Sequence, residues 1–259
     1  MNQKTDLWDP SQYMRFGNER LKPAIDLLAH VPISAPQTVV DLGCGVGNVS
    51  TLLKQRWPDA DVLGIDGSES MLATARANAP TCRFMHADIG AWAPAQAFDL
   101  IYSNATLQWL GDHETLFARL LSLLRPNGCL AVQMPAMHDT PFRLEQVRLA
   151  QSPEFAQAFA RVPERHSILA AGAYYDLLRP LVKALDIWET TYMHALTGED
   201  AVVQWASGTS LRPYLDALQG EQRASFRAAY ARALEPFYPR HNDGCTLLPF
   251  KRLFLVATV

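Results

Sequence analysis

The segment Val39-Val40-Asp41-Leu42-Gly43-Cys44-Gly45-Val46-Gly47 carries the densest chemical signal in the chain. An apolar run reaches Asp41, three glycines follow at alternate positions, and a helix-like stretch continues from Asn48 through Gln55. Glycine has no Cβ and accepts positive φ, so a ligand can come close to the backbone there. The helix start just beyond presents unpaired N–H groups and the positive end of a dipole. This is the arrangement of a cofactor cradle. A second acid, Asp66, closes the run Val62-Leu63-Gly64-Ile65. A carboxylate at a strand end can accept both hydroxyls of a ribose diol, or it can serve the turn ahead of Ser68. Asp88 and Asn104 end two further apolar runs; each fits a ligand contact, and each also fits local turn or cap chemistry.

The elements that must position these residues follow from periodicity. Val39–Leu42, Val62–Ile65, Cys82–Met85, Leu100–Ser103 and Cys129–Met134 read as short buried strands. Amphipathic stretches Ser50–Trp57, Ser70–Ala77 and Glu114–Leu124 lie between them. The alternation predicts βαβ units and a parallel sheet covered by helices on both faces. Arg125-Pro126-Asn127-Gly128 reads as a turn launching the fifth strand. Ala24 to His30 reads as a helix leading into the sheet. After Met134 the alternation breaks into a helical region to about Leu181, a strand Ala184–His194, a helical stretch Glu199–Glu235, and a final strand Leu247–Val259. Without a repeat or a Gly/Ser linker, the extra helices read as an insertion. The expected organisation is a single domain, 1–259, with a helical segment 1–36, a cofactor-binding half 37–135, and a C-terminal half 136–259 whose helical insertion spans about 199–240.

Bulk properties exclude several classes. The chain has 259 residues, 49% hydrophobic and 19% charged, with a net charge of -3. These are values of a globular protein, and no basic stripe suits nucleic acid. Cys44, Cys82, Cys129 and Cys245 are scattered, without metal-ligand spacing, so neither a structural metal nor a disulfide framework is expected. No apolar run is long enough to span a bilayer, and the polar start, Met1 to Pro10, has no signal region. A cytoplasmic location, no membrane partner, and a monomer or weak dimer are the default expectations.

The glycine spacing then discriminates between cofactors. A dinucleotide fingerprint needs G-x-G-x-x-G, and its third glycine would fall on Asn48. A Walker A loop fails because no Gly-Lys-Ser/Thr follows. Asp-x-Gly-x-Gly-x-Gly resembles motif I of the class I S-adenosylmethionine-dependent methyltransferases. The resemblance implies a Rossmann-like α/β fold with a mostly parallel seven-stranded sheet and a helical lid over the acceptor site, and S-adenosylmethionine as cofactor with no metal. It places Asp41, Gly43, Gly45, Gly47, Asp66, Gly67, Ser68, Met71, Asp88, Ile89 and Asn104 around that cofactor. Asp88 would face the adenine amino group, the backbone of Ile89 would support the ring, and Asn104 would lie beside the sulfonium.

More of the chain resembles one branch, the trans-aconitate methyltransferases. The segments are Trp8-Asp9-Pro10-Ser11-Gln12-Tyr13, Glu19-Arg20, Asn104-Ala105-Thr106-Leu107-Gln108-Trp109-Leu110, Ala131-Val132-Gln133-Met134-Pro135, Ala173-Tyr174-Tyr175-Asp176, Leu211-Arg212-Pro213-Tyr214 and Arg252-Leu253-Phe254-Leu255-Val256-Ala257. The resemblance implies esterification of one carboxylate of a small tricarboxylate. Another small carboxylic acid or acyl acceptor, or a non-catalytic S-adenosylmethionine-binding protein, is the alternative. A carboxylate is ionised at neutral pH, so no general base, and hence no catalytic residue in that sense, is expected. Cations and hydrogen-bond donors for the acceptor are expected instead. Arg212, Arg165, Tyr174 and Tyr175 are the candidates, with Trp109 and Trp205 walling the pocket; surface ion pairing or core packing is the alternative for each. In the front segment, Arg20 would pair with the methionyl carboxylate, and Tyr13 would cover the sulfonium or pack against a helix.

Overall fold

A computed structural model describes residues 17–160, 162 and 167–259. Seven strands form one sheet: β1 (Thr38–Leu42), β2 (Asp61–Asp66), β3 (Arg83–His86), β4 (Phe98–Asn104), β5 (Leu124–Pro135), β6 (Ala184–Thr197) and β7 (Cys245–Thr258), in the spatial order β3-β2-β1-β4-β5-β7-β6. The pairs β1–β2, β1–β4, β2–β3 and β4–β5 are parallel. Between β5 and β7 the direction reverses: Asn127 N–H donates to Val259 O at 2.9 Å and Ala136 N–H to Lys251 O at 2.9 Å, so one index rises as the other falls. The sheet is therefore mixed, with the expected parallel strands at its centre. Central β1 reads Thr-Val-Val-Asp-Leu and buries its last four residues, as a strand covered on both faces must.

Helices fill the crossovers. They are α1 (Gly17–Ala29), α2 (Asn48–Arg56), α3 (Glu69–Asn78) and α4 (His113–Ser122) in the first half of the chain. Strand order runs outward from β1 in both directions. Right-handed crossovers then put α2 and α3 on one face and α4 on the other. The point of reversal, between β1 and β4, is where an open α/β sheet leaves a crevice at its carboxyl edge. Helix α4 buries His113, Leu116, Phe117, Leu120 and Leu121, one stripe at 3.6-residue spacing.

Several boundaries differ from the sequence expectations for physical reasons. Helix α1 starts seven residues before Ala24 and contains Pro23 in its interior, so the proline that limits the sequence pattern costs one hydrogen bond without ending the helix. Arg125-Pro126-Asn127-Gly128 is not a separate turn but an irregular part of β5. Phe98 pairs with Leu124 and Leu100 with Cys129, so extra residues bulge there, and Asn127 takes φ 64°. The stretch Glu199–Glu235 is three helices, α8 (Ala201–Ser207), α9 (Arg212–Asp216) and α10 (Gly220–Leu234), separated near Gly208 and Gly220. Ahead of β6 lie α5 (Pro141–Ala150), α6 (Ala156–Phe159) and α7 (Ala171–Leu178).

The residues gather into two compact units. One comprises Met1–Pro135, His166–Thr190 and Leu253–Val259; the other comprises Ala136–Arg165 and Thr191–Arg252. The first contains the parallel core, with Val39, Val40, Leu42, Ile65, Leu100 and Ile101 all at 0% exposure. The second has an aromatic core of its own. Phe226 lies edge-on to Phe155 and Phe159 at 5.0 and 4.9 Å between ring centres.

Candidate functional site

In the first unit the chain after β1 folds back over the end of β2. The N–H groups of Gly43 and Cys44 donate to Ile65 O at 2.7 and 3.0 Å, and Gly47 N–H donates to Cys44 O at 3.0 Å. Gly43, Gly45 and Gly47 take φ values of 76°, 54° and 83°, where a side chain is disfavoured. Their surroundings differ. A Cβ on Gly43 would overlap the side chain of Thr106, whereas a Cβ on Gly45 would meet no atom within 4 Å. The middle glycine therefore opens onto space, which is the property a ligand cradle requires.

Asp66 lies beside that opening. Gly45 N–H donates to its Oδ2 at 2.8 Å and Ser68 N–H to its Oδ1 at 2.9 Å, so both carboxylate oxygens are oriented by backbone amides. A carboxylate has about four acceptor positions, enough to take a diol besides two amides. Ser68, buried, caps α3 by accepting from Met71 N–H at 3.2 Å. Gly67 is exposed, and its carbonyl accepts from His86 Nε2–H at 3.0 Å. Asp88, exposed at the end of the third strand, accepts from Gly90 N–H at 2.9 Å, the local cap that its sequence position allows. Ile89 beside it is buried.

The loop after β4 completes this edge. Asn104 pairs in register with Gln133 of β5, and Ala105 takes φ 55°, a costly conformation for a residue with a Cβ. Three bonds hold it: Ala105 N–H to Gln133 O at 2.9 Å, Gln108 Nε2 to Ala105 O at 2.7 Å, and Thr106 Oγ1 to Gly43 O at 3.3 Å. Asn104 Oδ1 and Gln108 Oε1 are buried without a hydrogen-bond partner among the described residues. Orphaned amide oxygens beside a strained backbone and an open glycine suit a ligand's N–H or polarised C–H groups. Sequence reasoning missed Thr106, Gln108 and Gln133 as parts of this edge. Their signal is tertiary: Thr106 matters because Gly43, 63 positions earlier, receives its hydroxyl.

Asp41 plays a different part from the other acids. It is 1% exposed beneath the loop and accepts the Ser50 hydroxyl at 2.7 Å. Burial pushes its carboxyl up to about 7, opposed by the Ser50 hydrogen bonds and assisted by the nearby charge of Asp66. It is thus a buried tether between β1 and α2. Burial likewise pushes the Cys44 thiol well above its ordinary value, with the charges of Asp41 and Asp66 adding to it, so this loop cysteine is not a nucleophile.

Other residues expected to touch a ligand are enclosed by protein. Met71 is 3% exposed in α3 and Tyr174 is 0% exposed in α7. His113 Nε2 faces the carbonyls of Leu107 and Leu110 at 3.0 and 3.1 Å and must donate there, which leaves Nδ1 to accept the Tyr174 hydroxyl proton. That phenol is therefore committed. Tyr175 and Trp109 are solvent-accessible. In the second unit Trp205 is 2% exposed and stacks on His194 at 4.7 Å, while Arg212 pairs with Asp216 at 3.4 Å. Tyr13 and Arg165 lie outside the described residues, and Arg20 falls within α1. No group of three or more His, Cys, Asp or Glu among the described residues is placed to hold a metal ion. No helix among them is long and apolar enough to cross a membrane.

Comparison with known proteins agrees with this geometry. A family described as a methyltransferase domain matches residues 39–128, the span from β1 to the bulge of β5. The trans-aconitate 2-methyltransferase of Azoarcus sp. (strain BH72) is 47% identical over 96% of this chain and 98% of its own length. This chain belongs to the trans-aconitate 2-methyltransferase family. The family member from Paracidovorax citrulli (strain AAC00-1) is 46% identical over 96% of this chain and 97% of its own. Among solved structures, the YcgJ protein of Bacillus subtilis shares the fold with a TM-score of 0.58 at 13% identity, covering 92% of this chain and 98% of its own. A Haemonchus contortus phosphoethanolamine N-methyltransferase 2, solved in complex with S-adenosyl-L-methionine, has a TM-score of 0.58 at 15% identity and covers 95% of this chain and 56% of its own. The likeness to trans-aconitate 2-methyltransferases extends through the second unit, well beyond the cofactor-type half.

Proposed function

We propose that the protein transfers the methyl group of S-adenosylmethionine to a carboxylate of trans-aconitate, giving a monomethyl ester. The observation that carries this reading is 47% identity to a trans-aconitate 2-methyltransferase over 96% of the chain. The relatives' name puts the ester at the 2 position, and we take the same regiochemistry for this chain.

When bound, S-adenosylmethionine supplies a methyl group on a positively charged sulfur. The remaining work belongs to the residues at the carboxyl edge of the sheet. Asp66 takes the ribose hydroxyls. Gly45 leaves room for the methionyl part, with Arg20 and Tyr13 as its partners from the front segment. Asp88 and the backbone of Ile89 take the adenine, and Asn104 lies on the sulfonium side. Gly43, Gly47, Asp41 and Met71 shape this cradle from below, while Gly67 and Ser68 fix the turn that presents Asp66.

The acceptor carboxylate arrives ionised, so no residue has to remove a proton. Rate then comes from holding one oxygen in line with the methyl–sulfur bond and from excluding water, contributions worth about 7–11 kcal/mol in well-aligned systems. Tyr175, Trp109, Trp205, Arg165 and Arg212 are proposed for the acceptor side. Tyr174 serves it indirectly, by fixing His113 and the loop carbonyls.

The test is a mass-spectrometric product assay with methyl-labelled S-adenosylmethionine, trans-aconitate and both regioisomer standards. A labelled 2-monoester is expected. Turnover of a different acid but not of trans-aconitate would overturn the substrate. Tight S-adenosylhomocysteine binding by calorimetry without turnover of any acid in a panel would make the protein a non-catalytic binder.

A further inference from the structure

A polycarboxylate acceptor carries more negative charge than methyl transfer consumes, and each spare carboxylate needs a cation or donors. Within the unit built from Ala136–Arg165 and Thr191–Arg252, several basic residues are already matched. Arg148 pairs with Glu145 at 2.6 Å, Arg212 with Asp216 at 3.4 Å, and Lys251 lies 3.8 Å from Asp139. Arg143 in α5 is different. It is half-buried, and its Nη1 donates to Gln146 Oε1 at 3.0 Å and to the Tyr214 hydroxyl at 3.3 Å. Its guanidinium carbon lies 5.9 Å from the Tyr214 ring centre. All these neighbours are neutral. No Asp or Glu among the described residues is within ion-pair distance of it.

The support around this cation is built in. Gln146 is 0% exposed and donates from Nε2 to Ser210 Oγ at 2.7 Å and to the Tyr230 hydroxyl at 3.0 Å. Tyr230 spends its own proton on Phe142 O at 2.6 Å, so it can only accept from Gln146. That fixes the amide: its nitrogen faces Tyr230 and its oxygen faces Arg143. Helix α10, through Tyr230, and the chain before α9, through Ser210, therefore aim one arginine. A guanidinium has five donors in a rigid fork. Only Nη1 has partners among the described residues, which leaves the Nε–Nη2 edge, the edge that grips a carboxylate in two parallel bonds.

We propose that Arg143, braced by Gln146 and Tyr214, binds a carboxylate of the acceptor other than the one that is methylated. This rests on the polycarboxylate reading above. Arg143 selects acceptors with a second acid group, a role that Arg212 fills less well because Asp216 shares its charge.

The experiment measures KM for trans-aconitate in the full-length enzyme and in Arg143→Gln and Arg143→Lys. A charge-assisted bond is worth enough to raise KM by roughly 10- to 100-fold in Arg143→Gln, with a smaller rise in Arg143→Lys, which keeps charge but not the fork. The dissociation constant for S-adenosylhomocysteine and the melting profile should stay near wild type. A half-ester of trans-aconitate that lacks the spare carboxylate should start with a high KM and lose less than threefold on substitution. An unchanged KM for trans-aconitate in a folded Arg143→Gln protein overturns the inference, as does an equal loss for both acceptors. If Arg143→Gln fails to fold, Arg143→Lys decides on the same criteria. A wild-type enzyme that esterifies another polycarboxylate instead moves the comparison to that acid, and one that takes no polycarboxylate removes the inference together with the reading beneath it.

Discussion

Replacing Gly43 and Gly45 separately by alanine should give opposite phenotypes, although the two glycines are neighbours in one motif with similar backbone angles. Both have positive φ, 76° and 54°. A Cβ in the left-handed region costs about 1–2 kcal/mol, partly offset because alanine restricts the unfolded chain by about 0.4–1 kcal/mol. At Gly43 the added methyl would overlap Oγ1 and Cγ2 of Thr106 and lie 2.5 Å from its Cβ. Overpacking of that kind adds about 1–3 kcal/mol. The expected loss for Gly43→Ala is therefore about 2–4 kcal/mol, or roughly 4–15 °C in melting temperature for a chain of this size. At Gly45 no atom lies within 4 Å of the added methyl, so only the backbone cost remains. That cost is about 1 kcal/mol, or roughly 2–4 °C.

Cofactor affinity should follow the reverse order. The space in front of Gly45 is where the ligand backbone has to pass, so Gly45→Ala should weaken S-adenosylhomocysteine binding by about 1–3 kcal/mol, some 5- to 150-fold. Calorimetry and thermal melting on the two variants read both quantities. A third protein, Gly43→Ala with Thr106→Gly, removes the overlapping atoms and should recover part of the melting temperature beyond additivity. Equal destabilisation by the two single substitutions, or unaltered S-adenosylhomocysteine affinity in Gly45→Ala, would refute the assignment of one glycine to packing and the other to ligand approach.

Asp41 makes stability depend on pH in a defined direction. Its folded carboxyl titrates at about 7 against an ordinary 3.8, chiefly through burial, so the folded state holds a proton that the unfolded state has lost. Its contribution is fully favourable below about pH 4 and is lost as pH rises toward 7, a span worth roughly 4 kcal/mol. Asp41→Asn should flatten that slope, so urea midpoints of variant and wild type should diverge between pH 5 and pH 8; parallel profiles would contradict the burial. Ala105→Gly should relieve the φ of 55° and raise stability by up to about 1 kcal/mol, while kcat falls because the loop bearing Asn104 loses its fixed geometry; a melting curve and steady-state kinetics check both halves. Tyr174→Phe should lower stability by about 1–3 kcal/mol by stranding His113 Nδ1, with KM for trans-aconitate unchanged; a raised KM would return Tyr174 to the acceptor pocket.

The cofactor edge was largely legible in the sequence because its residues sit at strand ends, and strand ends are marked by apolar runs that stop. Gly43, Gly45 and Gly47 stand one after another behind β1, and Asp66 closes β2, so local pattern alone placed them on one edge. Local pattern could not sort them by role. Asp41 and Asp66 are both acids at the ends of apolar runs, yet one is sealed beneath the loop against Ser50 and the other receives Gly45 N–H at 2.8 Å. Bulge and helix limits were hidden for a similar reason. Pro23 and Pro126 look like stops, and whether a proline ends an element depends on whether its neighbours supply the lost bond.

The acceptor side was harder to read because cations report their role through distant partners. Arg212 stood out in the sequence for its apolar neighbours Leu211 and Pro213. Its own helix α9 then brought Asp216 four residues later to the same face, an i,i+4 pair visible only once the helix is known. Arg143 had no such local prominence, lying between Phe142 and Leu144 in an unremarkable helical stretch. What distinguishes it is Tyr214, 71 positions away, and a Gln146 oriented by Tyr230, 84 positions further on. A base in such a site would have announced itself as a histidine or cysteine poised near neutrality. An enzyme whose acceptor is already an anion needs no such residue, so its specificity has to be sought in which arginine the fold leaves without an acid.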